Sequence, residues 1–282
     1  EARISEIDTE MSDPAIGTIV LETIQGGGGI ISASPEYWRQ LRALCDQYGV
    51  LWVADEVQCG YGRTGRFYAF EHYGVVPDVT ALAKSLGGGK AAVGAMIARR
   101  DLYMRAYGTP ETALIHASAT FGGIGESAAT AIEALNVLYD EALIDNAADT
   151  GAYLLERLRT LQRRYPRLIK EVRGQGLMVG LVFHDLSYAM PAMMRPVLGR
   201  FDERLKGAVS GSVGALLLRD YAVLVAFTEY DRNVIRLEPP LICQREHVDI
   251  FIESLDGLLS RGIVAIVKDF MKARRHSMKE GR

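Results

Sequence analysis

Asp55 and Lys84, opposite in charge, each follow an apolar run of the chain and stand 29 positions apart. In "VTALAKSLGGGKAAVGAMIARR", residues 79–100, a lone lysine precedes three glycines. Burying an ammonium is costly, so an interior lysine is either a stem reaching back to solvent or a group with a chemical task. As a nucleophile it must be neutral, which desolvation and nearby cations favour. In "WVADEVQCGYGRTG", Asp55 and Glu56 close a second apolar run. Ligands of open α/β sheets sit outside the carboxyl ends of the strands. A carboxylate there can hold a proton on a ring nitrogen, or it can simply close a turn.

Gln58 adds a neutral amide that can bond a phenolic oxygen, and Gly60, Gly62 and Gly65 permit a tight loop. An acid on a pyridinium nitrogen and a lysine on an aldehyde carbon are what a pyridoxal phosphate site requires. Further on, "HASATFGG" offers the hydroxyls of Ser118 and Thr120 beside glycines. Such a loop suits a phosphate, and it reads equally as a plain polar loop.

These residues need strands to present them. "IGTIVLETI", "VLWVADEV", "VTALA" and "AVGAMIA" read as four strands, the first a β-branched run that reads as buried. "SPEYWRQLRALCDQYG" reads as a helix, with Ser34 as cap, Pro35 at its first position, Glu36 in its first turn and Gly49 at its end. Strands alternating with helices and long loops predict an α/β domain with a mainly parallel sheet. From Gly125 to about Tyr165 the pattern is helical and predicts a connector between domains. Beyond it come "GLMVGLVF", a helical stretch near 191–219, "YAVLVAF", "NVIRLEPP" and a final helix from about Glu246, a smaller α+β unit. The expected division is 1–145 and 146–282. The polar tail "KARRHSMKEGR" is expected to fray.

"EARISEIDTEMSDPA" reads as a polar helix or loop running straight into a buried strand. Either that strand lies near a sheet edge, or the chain continues a domain whose earlier part lies elsewhere.

Composition narrows the partners. Of 282 residues 49% are hydrophobic and 24% charged, with a net charge of −3, so no basic excess points to nucleic acid or an anionic membrane. No apolar run reaches the roughly 18 residues of a membrane span, and no signal-peptide pattern is legible. Cys45, Cys59 and Cys243 are odd in number and lack paired spacing, and the five histidines lack ligand spacing. No metal site is expected, and a reducing cytoplasm is the expected compartment.

The segments "LETIQGGGG", "WVADEVQCGYGRTGRFYAFEHYGVVPDVTALAKSLGGG", "SATFGG", "VRGQGLMVGL" and "VIRLEPPL" follow one another in a familiar order. In that order the chain resembles the class III pyridoxal-phosphate aminotransferases of fold type I, nearest to those acting on ornithine, putrescine and other terminal amines. The resemblance runs through almost the whole chain, apart from an enlargement between His184 and Tyr221. It implies that Lys84 holds the cofactor as a Schiff base and carries the proton during the reaction. It implies further that Asp55 keeps the pyridine nitrogen protonated, Val57 packs on one ring face and Gln58 bonds the phenolic oxygen. Thr120 would reach the cofactor phosphate, usually across the interface of a homodimer. Arg236 resembles the arginine that grips the α-carboxylate of glutamate or 2-oxoglutarate, and Glu22 matches an acid near the substrate.

Two departures qualify the resemblance. Many relatives carry Glu after "QG", paired with the arginine, whereas Gly27 stands here and leaves the charge of Arg236 uncovered. The family's earlier half, with its phosphate-binding turn and ring-stacking aromatic, has no counterpart, so the chain resembles the C-terminal two-thirds of such an enzyme: part of a larger polypeptide, a proteolysed product or one ordered segment. The reaction implied is transamination between a primary amine and an oxo acid or aldehyde. A racemase, lyase or decarboxylase on the same fold, or a non-catalytic subunit or fragment, are the rival readings.

Overall fold

The computed structural model describes residues 3–116 and 122–279. The chain divides into two compact units, one of Glu1–Ile24 with Ser32–Asp145, the other of Gln25–Ile31 with Asn146–Arg282.

The first unit opens with helix α1 (Ile4–Met11) and strand β1 (Thr18–Glu22). A two-stranded ribbon of β2 (Ile24–Gln25) and β3 (Ile31–Ser32), whose residues Gln25–Ile31 are counted with the second unit, precedes helix α2 (Pro35–Tyr48). Strands β4 (Leu51–Asp55), β5 (Val79–Leu82) and β6 (Ala95–Ala98) follow, then helices α3 (Arg100–Tyr107), α4 (Pro110–His116) and α5 (Gly125–Asp140). The sheet order is β1-β4-β5-β6, with β1, β4 and β5 parallel and β6 antiparallel to β5. The expected α/β class and mainly parallel sheet are what the chain forms.

Local chemistry explains α2. The Ser34 side chain accepts from the Tyr37 N–H at 3.2 Å, proline occupies the first turn, and Gly49 ends the helix at φ 67°. Its apolar face buries Trp38, Leu41 and Cys45 against Trp52 and Ala54 of β4. The opening segment is amphipathic rather than polar throughout, because Ile7 and Met11 of α1 join the same core. β1 lies at the edge of this sheet. The predicted strand "IGTIVLETI" breaks after Glu22, where the Thr23 hydroxyl turns inward to a carboxylate, that of Glu56.

Strand alternation gives the sheet two unlike faces. Trp52 and Ala54 point to the α2 side and are fully buried. The opposite face carries the register row Val20–Val53–Val79–Ala98, in which Val20 is 62% exposed. Asp78 anchors the lower end of the sheet: it accepts from the Trp52 N–H and pairs with Arg42 and Arg99 at 2.9 and 2.7 Å.

The second unit holds most of helix α6 (Leu143–Arg164), strands β7 (Ile169–Gln175) and β8 (Met178–Phe183), and short helices α7 (Leu186–Ala189) and α8 (Arg195–Leu198). Helix α9 (Ala208–Tyr221), strands β9 (Ala226–Phe227) and β10 (Val234–Leu237), and helices α10 (Arg245–Leu259) and α11 (Ile263–Lys279) complete it. Its antiparallel sheet has the order β7-β8-β10-β9, and β8 is buried along its whole length.

Several sequence expectations change here. The helical connector is two helices, broken where Ala142 takes φ 50°. The stretch near 191–219 is a series of single turns, α8 among them, until α9 begins at Ala208. "YAVLVAF" contributes only two strand residues. The final helix is split into α10 and α11, and α11 runs through the tail to Lys279 instead of fraying before it.

Candidate active site

Parallel strands end at the same edge, so β1, β4 and β5 bring their carboxyl ends together. Glu22 and Asp55 are register partners on β1 and β4, and Asp55 pairs in turn with Ala81 on β5. In-register neighbours share a face, so both carboxylates project from the face away from α2. Lys84 follows β5 by two residues and starts the short 3-10 turn Lys84–Gly87, which packs against α5. The edge therefore collects two acids and an amine from three strands.

Lys84 has φ 49°, a left-handed backbone that a non-glycine residue adopts at a cost of about 1–3 kcal/mol. Strain of this kind accumulates where a side chain is held for a purpose. The burial expected for Lys84 is not found, and the side chain is exposed. It starts a turn beyond the last strand residue and so stands off the sheet rather than within it.

Asp55 is half-buried, and its Oδ1 accepts the Val57 N–H at 3.0 Å, a turn that leaves the second oxygen for another donor. Val57 and Gln58, both half-buried, follow directly. The loop behind them is tight: a Cβ on Gly60 would stand 2.7 Å from the Glu56 carbonyl oxygen, so only glycine fits.

The sequence groups Glu56 with Asp55 as a possible turn acid, and the structure separates the two. Alternation turns Glu56 inward, where it is 1% exposed. Its carboxylate accepts the Thr23 hydroxyl at 2.5 Å and the Ala69 and Phe70 N–H groups at 2.8 and 3.2 Å. Burial raises its pKa, against the lowering effect of these bonds. Cys59 lies in the same pocket of core, and burial with the Glu56 charge pushes its thiol well above its usual range.

Arg236 belongs to the second unit. It sits on β10 opposite Gly180 of β8 and Ala226 of β9, two small residues that leave its guanidinium room. The charge is not uncovered as the sequence suggested: Glu238 Oε2 lies 3.7 Å from Nε, which makes no hydrogen bond among the described residues. Glu238 follows β10 directly, two residues after Arg236, a spacing legible in "RLEPP" that places both side chains toward one face. Arg236 and Glu238 both line a cavity of about 540 Å³ whose other walls are mostly apolar, among them Val225, Leu237 and Phe251. A Cβ on Gly27 would meet Tyr230 at 3.6 Å and Glu229 Oε2 at 3.7 Å, ordinary contact distances. Thr120 and Ser118 lie outside the described residues.

A mainly parallel sheet with a carboxylate and a lysine at adjacent strand ends defines an α/β protein, a class whose ligands bind outside the carboxyl ends of the strands. Residues 1–259 match the family of class-III aminotransferases, and the chain belongs to that family. It is 38% identical over 251 residues to the acetylornithine aminotransferase of Caldanaerobacter subterraneus subsp. tengcongensis, covering 89% of this chain and 55% of that one. Among solved structures it is similar to the ornithine δ-aminotransferase of Plasmodium falciparum, with TM-score 0.74 and 30% identity over 95% of this chain and 60% of that one. It is also similar to an amine transaminase from an uncultivated Pseudomonas species in a PLP-bound form, with TM-score 0.77 and 29% identity over 92% and 56%. The chain thus spans little more than half the length of the curated relative it matches.

Proposed function

We propose that this chain is the catalytic part of a pyridoxal-phosphate-dependent aminotransferase. The reaction moves an amino group between a primary amine, terminal or of an amino acid, and an oxo acid or aldehyde, with glutamate and 2-oxoglutarate as one pair. The observation that carries this reading is the placement of Asp55 and Lys84 on neighbouring strand ends in a class-III aminotransferase chain. The donor set fits the cofactor: a carboxylate at the end of β4 with one oxygen accepting the Val57 N–H, and a primary amine on a backbone held at φ 49°.

When bound, pyridoxal phosphate supplies a protonated ring that accepts electrons from the substrate carbon. Asp55 keeps the ring nitrogen protonated by accepting its N–H, and its charge opposes loss of that proton. Lys84 Nζ would hold the cofactor and would take and return the proton at the substrate carbon. Val57 packs on the ring and Gln58 orients it through the phenolic oxygen. Glu22 stands beside Asp55 on the substrate side, and Arg236 grips the α-carboxylate of the dicarboxylate partner.

The first unit is read as the remainder of a large cofactor domain and the second as the small C-terminal domain. Thr120 is assigned to the cofactor phosphate across a homodimer interface, and the compartment to the cytoplasm. Among the described residues, no helix is long and apolar enough to cross a membrane. The 62% exposure of Val20 on the face opposite α2 and the exposure of Lys84 favour a second statement within this reading, that a further layer of protein completes the site.

The test is absorbance of the purified protein with pyridoxal phosphate, before and after an amine donor, followed by a donor and acceptor screen. A cofactor band that an amine bleaches and 2-oxoglutarate restores is the expected result. A band that no amine changes would leave a binding protein or another reaction class.

A further inference from the structure

We infer that Glu56 is a positioning residue for Asp55: a buried carboxylate that staples three chain segments behind the site and fixes the edge on which the proposed cofactor contacts are built. The inference rests on the cofactor reading above for its consequence, and on geometry alone for the staple.

Glu56 occupies the first position after β4, so its side chain leaves the sheet on the side opposite Asp55. One residue faces the site and the next faces the interior. From the interior, the two oxygens of Glu56 gather three donors from two other segments. Thr23 closes β1 immediately after Glu22, and its hydroxyl donates at 2.5 Å. Ala69 and Phe70 begin the 3-10 turn to which the glycine loop returns, and their N–H groups donate at 2.8 and 3.2 Å. The backbone adds two links, Glu56 N–H to the Ala81 carbonyl of β5 and Gly60 N–H to the Glu56 carbonyl, each 3.0 Å. Cys59 Sγ donates to the Asp55 carbonyl at 3.6 Å.

Every one of these contacts lies within the first unit, and each fixes a segment bearing a proposed site residue. Thr23 fixes the end of β1 next to Glu22. The Ala81 link fixes β5 three residues before Lys84. Ala69 and Phe70 close the loop that begins with Val57 and Gln58. A carboxylate is the group that this arrangement requires, because three donors converge on acceptors only. Glutamine fills the same space but presents an NH₂ group to at least one N–H or hydroxyl, leaving donors face to face inside the core.

The decisive variant is Glu56→Gln, compared with Asp78→Asn, which breaks the ion cluster at the far end of the same sheet and touches none of the proposed site residues. Amide hydrogen exchange over residues 57–70 reads the staple without any cofactor. Glu56→Gln should speed exchange there at least tenfold, while Asp78→Asn leaves it within twofold. Spectral titration with pyridoxal phosphate reads the consequence: the dissociation constant should rise tenfold or more in Glu56→Gln and stay within twofold in Asp78→Asn. Should Glu56→Gln fail to fold, Thr23→Val removes one donor at nearly constant volume, and both readouts should move in the same direction by about threefold.

Unchanged exchange over 57–70 would overturn the staple. Faster exchange with unchanged cofactor affinity, or loss of affinity in both variants in proportion to their melting temperatures, would overturn the positioning role. If the unsubstituted protein takes up no cofactor, the proposed function fails, and the exchange experiment still decides whether Glu56 holds the edge.

Discussion

Glu22 and Asp55 are direct register partners on adjacent parallel strands, so two carboxylates share one face at one sheet edge. Like charges this placed oppose each other unless a cation or a proton joins them. The proposed pyridinium is such a cation, placed at Asp55.

The first prediction follows from the left-handed backbone of Lys84. Borohydride treatment of the cofactor-loaded protein and peptide mapping should find the pyridoxyl group on Lys84. Its appearance on Lys90, six residues on, would remove Lys84 from the proposal.

Asp55→Asn separates turn chemistry from electronics. Asparagine keeps an oxygen to accept the Val57 N–H, so the loop should persist with little change in melting temperature. It carries no charge to hold a proton on the ring, and turnover should fall by about 10²–10³-fold, the loss usual for removing one electrostatic contact in a transition state. Stopped-flow rates of each half-reaction check this, and full turnover in the variant would leave Asp55 as a turn acid only.

Arg236 and Glu238 give a paired test, since they stand 3.7 Å apart. Truncating a charged partner of a carboxylate costs about 2–5 kcal/mol, so Arg236→Ala should raise the KM for 2-oxoglutarate by about 30-fold or more and spare the amine half-reaction. Glu238→Gln removes the acid that competes for the same guanidinium, and the KM for 2-oxoglutarate should drop several-fold. Equal damage to both half-reactions in Arg236→Ala would make the arginine structural.

Gly27 tests the space beside Glu229. Its Cβ position makes only ordinary contacts, so Gly27→Ala should change stability by less than about 0.5 kcal/mol. Gly27→Glu places a second carboxylate near Glu229 and should lower the melting temperature, more at low salt than at high. A salt-independent loss would point to steric crowding instead.

Acid stability should report on Asp78. Burial alone would raise its carboxyl, but the Trp52 N–H and the guanidinium groups of Arg42 and Arg99 outweigh that and hold it below 3.8. The native state therefore binds its proton less tightly than the unfolded chain. Its stabilisation is complete above pH 3.8 and is lost as pH falls through the lower folded value. Asp78→Asn should flatten the fall in melting temperature between about pH 5 and the acid limit, and an unchanged slope would show that other carboxylates set it.

The sequence by itself determined the elements that local chemistry controls. A serine cap, a proline and a glycine bracket α2, and unbroken apolar runs place β4 and β5, with Asp55 and Lys84 at their ends. Those signals lie within a few residues of one another, so no distant contact is needed to read them. Tertiary structure decided everything that depends on which strand lies beside which. Only pairing shows that Glu22 faces Asp55, that β6 runs backwards against β5, and that Arg236 lies between Gly180 and Ala226. Only packing sends Glu56 inward to Thr23, 33 residues away, while its neighbour faces the site. Lys84 stands exposed for the same reason: whether a charge is buried depends on what covers it, and cover is a property of the assembled layers rather than of the residues flanking it.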